Sequence, residues 1–171
     1  IRRDLGLITR GRLTLPVPES NRIIFPRSVK QPGKHIPGGQ IFIEPGAVVE
    51  HSYLNDSEGP IYIGQNARVM EGSMIRGPFA LGADSVVKMG ARIYGATSVG
   101  PHCIVGGEIK NSLIFGHSNK AHDGYLGDSV IGDRGIPGQR SVIADVAEAV
   151  GVGTIKGGER LGVGVKVAGG F

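Results

Sequence analysis

Counting forward by six from Ile63 gives Val69, Ile75, Leu81, Val87, Ile93, Val99 and Val105. All eight positions hold Ile, Val or Leu. Such residues fill roughly a quarter of the chain, so an unbroken run of eight has about one chance in tens of thousands at a fixed phase. The position four residues after each anchor reads Ala67, Ser73, Phe79, Ser85, Ala91, Thr97, Cys103 and Ile109, mostly small. Glycine follows the anchor directly at Gly64, Gly82, Gly100 and Gly106. A period of six fits neither a helix, which repeats at 3.6, nor a long strand, which alternates at 2. It fits a short strand and a corner, repeated. Three such units close a triangular coil of about 18 residues, with the anchor pointing inward and the small residue at the corner. Coils then stack about 4.8 Å apart through parallel ladder hydrogen bonds. The expected fold class is all-β, a parallel β-helix of six-residue steps, and such three-unit coils resemble those of a left-handed parallel β-helix.

Composition agrees with this reading. The 171 residues include 30 glycines, well above the usual share of about 7%. Glycine supplies turn geometry that other residues reach at a cost. It does not fall at every third position, which excludes collagen. Aromatics are 5% and Trp is absent, so the core is expected to be aliphatic. A β-sandwich would show turn signals every 8–12 residues rather than a locked step of six.

Three segments are expected. Residues 1–40 lack the repeat and are interrupted by Pro16, Pro18, Pro26, Pro32 and Pro37. They read as a linker or short helix followed by extended chain that adds edge strands. Residues 41–133 carry the repeat, opening weakly at Ile43, Val49 and Ile61. Residues 134–171 keep only a degraded repeat through Pro137, Ile143, Ala149, Ile155, Leu161 and Val167, with a short helix expected over 144–150. After Lys110 the phase breaks. The polar stretch Asn111–Gly124 reads as a loop thrown out from the coil, with the repeat resuming at Tyr125 and Ile131.

Net charge is +4 and the basic residues are scattered. Nucleic acid calls for a basic stripe with stacking aromatics, and none is visible in the sequence. No apolar run is long enough to span a membrane. The lone Cys103 cannot form an internal disulfide, which fits a reducing, cytoplasmic setting, and its corner position marks it as core.

A polar loop on a rigid scaffold is where chemistry is expected. His122 stands among Lys120, Asp123 and Tyr125. Histidine suits a general base near neutral pH. Lys88, Lys110 and Lys120 suit a phosphate, and Asn119 is a further candidate substrate contact. His35, His51 and His102 read as solvated.

The stretch Lys120-Ala121-His122-Asp123-Gly124-Tyr125-Leu126-Gly127-Asp128, leading into Ile131-Gly132-Asp133, resembles a GlmU-like domain. That is the acetyltransferase part of the bifunctional N-acetylglucosamine-1-phosphate uridyltransferase/glucosamine-1-phosphate acetyltransferase family. Gly77-Pro78-Phe79-Ala80 and Glu108-Ile109-Lys110 resemble family segments too, and the wording of residues 59–128 is similar to a sugar nucleotidyltransferase subgroup. The resemblance covers roughly residues 1–133. It implies an enzyme, a hexapeptide N-acetyltransferase in nucleotide-sugar biosynthesis. Acetyl-CoA would be co-substrate, an amino-sugar 1-phosphate the acceptor, and no metal would be needed. His122 would be the base, Lys110 and Tyr125 would contact the sugar phosphate, and Lys88 would stand in for a family arginine. It implies a homotrimer with acetyl-CoA between neighbouring prisms. The family's Gly-rich nucleotide loop has no counterpart in these residues, so uridylyl transfer is not expected from them. Two family asparagines fall at Ile136 and Asp145, which motivates a second expectation: a non-catalytic trimerisation scaffold. A third is a γ-type carbonic anhydrase, in which His117 and His122, five residues apart, would be paired zinc ligands.

Overall fold

The computed structural model describes residues 2–10, 14–23, 39–135, 142–143 and 167–168. His35, Ile136, Pro137, Asp145 and the helix expected over 144–150 lie outside the described residues. A short helix, Arg2–Thr9, precedes β1 (Arg22–Ile23). A solenoid then winds three strands per turn. β2 (Ile41–Ile43), β3 (Val48–Val49) and β4 (Tyr53–Asn55) form the first turn. The second has β5 (Ile61–Ile63), β6 (Arg68–Val69) and β7 (Met74–Arg76). The third has β8 (Phe79–Leu81), β9 (Val86–Val87) and β10 (Arg92–Ile93). The fourth has β11 (Thr97–Val99), β12 (Ile104–Val105) and β13 (Glu108–Lys110). The fifth has β14 (Leu113–Ile114), β15 (Asn119–Lys120) and β16 (Tyr125–Gly127), and β17 (Val130–Ile131) opens a sixth. Every third strand pairs in parallel with the one before, giving three sheets that wall a parallel β-helix. β1 joins the third face beside β4, and β18 (Val142–Ile143) pairs with β16 on that face, with β19 (Val167–Ala168) antiparallel to it. Among the described residues no helix is long and apolar enough to cross a membrane.

The anchors make the core. All eight from Ile63 to Val105 are buried, and they stack on each face, as in Ile43-Ile63-Leu81-Val99-Ile114-Ile131 on the first. Burying each such aliphatic side chain contributes roughly 1.5–3 kcal/mol. The small corner residues do more than leave room. Their hydroxyls cap corner carbonyls that the strands leave unpaired. Ser52 donates to Glu50 O and Met70 O, and Ser73 to Met70 O and Lys88 O. Ser85 and Ser118 act likewise at another corner, with Cys103 between them. The buried Cys103 Sγ contacts Phe115 O at 3.0 Å, and burial pushes its thiol pKa up.

The glycines after the first-face anchors have a different cause from the turn geometry expected. Their φ values are ordinary, and crowding selects them: a Cβ on Gly82 would come within 2.5 Å of the Gly100 and Pro101 backbone of the next turn. The left-handed backbone is taken instead by a column of polar residues, Asn66, Asp84, His102, His117 and Arg134, one per turn at the corner between the first and second faces. Asn, Asp and His tolerate that region better than most residues with a Cβ. His102 and His117 stack there, ring centroids 4.9 Å apart. His51 has the same conformation at a different corner.

The expected ejected loop is absent. Asn111–Gly124 is wound into the solenoid as β14 and β15, and its phase breaks because the winding is shorter, not because a loop leaves it. Phe79 pairs with Thr97, eighteen residues on, but Ser98 pairs with Leu113, only fifteen on. Between β9 and β10 the corner holds four residues, Lys88 to Ala91; between β12 and β13 it holds two, Gly106 and Gly107. The inward positions after Val105 are therefore Ile109, Ile114, Lys120, Leu126 and Ile131. Leu126, not Tyr125, resumes the ladder.

Candidate functional site

The short corner shapes the surroundings of His122. Above Gly106–Gly107 the next corner regains four residues, Ala121, His122, Asp123 and Gly124. Below lies the four-residue corner of Lys88 and Met89. The glycine step between them is tightly closed. A Cβ on Gly106 would meet Ala121 O at 2.6 Å and Lys88 Cβ at 3.1 Å; one on Gly107, whose φ is +73°, would meet Gly124 O at 2.8 Å and His122 O at 2.9 Å. His122, Lys88 and Met89 are exposed, so the imidazole sits on a rim over a two-residue notch.

His122 lies three residues before Tyr125, the first residue of β16, and the corner opens onto the outer face of β10, β13 and β16. Glu108 lies across from Tyr125 and Lys110 across from Gly127. A Cβ at Gly127 would collide with the Tyr125 hydroxyl, so the phenol leans along its own strand to the row that holds Lys110. Arg92, register partner of Glu108, contacts its carboxylate at 3.4 Å. Lower on the same face is a cavity of about 310 Å³ lined by Tyr53, Asn55, Met74, Arg76, Arg92 and Tyr94, where Arg76 contacts Glu58 at 2.9 Å. The third face thus interleaves cations and phenols in a way that scattered sequence positions hide.

Of the expected site residues, His122, Lys110 and Tyr125 come to one corner and its adjoining face, with Lys88 on the same corner below the notch. Asn119 lies on the second face, exposed, and does not join them. Lys120 is the correction. It was expected to offer a surface charge to a phosphate, but it is 3% exposed and points inward, in register with Val105. Its Nζ donates to Gly106 O at 3.1 Å and His122 O at 2.6 Å. Burial lowers its pKa from the usual lysine value, and the Asp123 carboxylate opposes part of that. His117 and His122 stand at different corners, with β15 between them, and among the described residues no three His, Cys, Asp or Glu side chains group as a metal site. Arg92 and Glu108 were missed by sequence reasoning. Their signal is positional: each opens a strand one residue before an inward anchor, so each faces outward.

No protein-family model matches the chain. It is 41% identical over 56 residues to the bifunctional protein GlmU of Gloeobacter violaceus, covering 32% of this chain and 12% of that protein. It is 29% identical over 104 residues to the bifunctional protein GlmU of Rippkaea orientalis, covering 59% of this chain and 20% of that protein. The matches therefore span a fifth or less of these relatives. Similarity and solenoid together fit a GlmU-like hexapeptide-repeat domain.

Proposed function

We propose that this GlmU-like solenoid is an acyltransferase domain that moves the acetyl group of acetyl-CoA to the amine of an amino-sugar 1-phosphate, with His122 as general base. The observation that supports the reading is an exposed His122 on the corner that precedes a face carrying Arg92, Glu108, Lys110 and Tyr125. The amine nitrogen attacks the thioester carbonyl; His122 accepts the proton that nitrogen must lose. The N–C bond forms, the C–S bond breaks, and CoA departs as a thiolate that solvent or the imidazolium protonates. Lys110 and Arg92 offer positive charge to the sugar phosphate, and the Tyr125 hydroxyl offers a hydrogen bond beside Lys110. Glu108 is an acceptor for a sugar hydroxyl. A neighbouring prism in a homotrimer would complete the acetyl-CoA site and keep water from the thioester.

The test is thiol release from acetyl-CoA in the presence of glucosamine 1-phosphate. Wild-type protein is expected to release free CoA, and His122→Ala to lose about 10²–10⁴-fold of that rate. Equal release from the two proteins sinks the reading. A specific observation keeps the scaffold reading as second: Ile136 and Asp145 stand where the resemblance puts asparagines. Saturable sugar-phosphate binding with no thiol release would favour it.

A further inference from the structure

The buried lysine is the feature that neither the repeat nor the proposed chemistry explains. The inward positions of the second face read Val49, Val69, Val87, Val105 and then Lys120. A fifth aliphatic residue would fill that place without desolvating a charge. We propose that Lys120 is a positioning residue: its ammonium replaces the backbone and hydroxyl caps lost at the two-residue corner, and so fixes the turn that carries His122.

The lower turns show what is replaced. There the carbonyl just past each second-face anchor is capped from the small corner position. Met70 O takes the Ser52 and Ser73 hydroxyls; Lys88 O takes Ser73 and the Ala91 amide. In the upper turns the same small position is Ala91, Gly107 and then Gly124, which carry no hydroxyl. Gly106 O is the equivalent carbonyl, and it takes Lys120 Nζ instead. The same ammonium holds His122 O, the carbonyl of the candidate base itself. One charged donor thus ties the glycine corner to the rim above it. An ammonium has three donors and the reach of four methylenes, which a serine at that position lacks. The tie sets the backbone on which the imidazole is mounted, and Lys120 touches no substrate.

The proposal rests on His122 being the base only for its effect on rate, and the experiment separates the two. In wild-type protein, the Lys120 ammonium protons, followed by ¹⁵N NMR, should exchange at least about tenfold more slowly than those of Lys88 and Lys110, as expected for a buried ammonium bonded to two carbonyls. Equal rates overturn the proposal without recourse to any variant. In Lys120→Met, the amides of Gly106 and Glu108, which donate to Lys120 O and Gly124 O, should exchange about 10–100-fold faster, while the Met70 amide in the lower turns keeps its rate. The thermal midpoint should change little, because burying methionine in the aliphatic ladder offsets the loss of the two carbonyl caps. Acetyl transfer should lose kcat with little change in KM, and Lys120→Arg should recover part of it. A lower midpoint with uniformly faster exchange would make Lys120 an ordinary core residue and overturn the proposal. If the local exchange change appears but wild-type protein transfers no acetyl group, the tie stands and the reading of His122 as base falls.

Discussion

The second and third turns and the stretch from Val105 to Leu126 are built from the same parts to different ends. From Ile61 to Val99 each turn takes eighteen residues, presents aliphatic side chains inward and caps its corners with serine and threonine hydroxyls. From Val105 onward the winding drops residues at two corners, takes a lysine inside, and mounts an imidazole on the rim. The regular part is optimised for stacking, and each of its layers could stand in for another. The shortened part gives up that interchangeability for a notch and a fixed turn beside a cationic face. Removing residues from a repeat reshapes the stack as an inserted loop does, and it costs less conformational entropy because no free chain must be ordered.

The contrast can be broken most sharply at His122. Its replacement by alanine should cost about 10²–10⁴-fold in transfer rate while leaving the thermal midpoint in place, because the side chain is exposed. A paired glycine test comes next. Gly90 and Gly107 both have left-handed backbone, with φ of +67° and +73°, but a Cβ at Gly90 meets nothing within 4 Å. Gly90→Ala should cost about 1–2 kcal/mol by urea denaturation. Gly107→Ala adds a backbone collision and should cost about 2–4 kcal/mol. Equal costs would mean that the short corner is no tighter than the long one. Ser73→Ala, which removes one of the two donors to each of Met70 O and Lys88 O, should cost about 1 kcal/mol and leave transfer untouched. The mildest expected effect is a slope. The folded-state pKa of Lys120 lies below its unfolded value, so between the two the unfolded chain binds more protons and stability rises with pH. Wild-type protein should therefore gain stability relative to Lys120→Met as pH climbs through the alkaline range toward 10.5, the ordinary lysine value. A constant difference between the two proteins would place the ammonium in water.

Much of the solenoid was legible because a six-residue step puts one side chain per strand inside, and burial then forces that position to be aliphatic. The same logic explains what was misread. Loss of period after Val105 is produced equally by an inserted loop and by a trimmed corner, and the sequence holds the difference only in Gly106-Gly107, a pair able to close a corner in two residues. Counting on from Ile114 by six lands on Lys120, which an aliphatic template rejects. Tyr125 looked like an anchor because phenol and aliphatic side chains both read as apolar; register with Glu108 turns it outward. Within the candidate site, His122 and Tyr125 were suggested by one local motif and Lys110 by a separate upstream segment. Arg92 and Glu108 were not, because they meet only across a ladder sixteen residues apart.

The hydroxyl rungs at the corners have a mechanical corollary. They join each layer to the next along the axis of the stack, whereas lateral contacts stay within a layer. A molecule pulled by its two ends would yield layer by layer, each eighteen-residue layer releasing roughly 60 Å of slack and the fifteen-residue one roughly 50 Å. Under tension the trimmed layer would announce itself as the shortest step of the staircase.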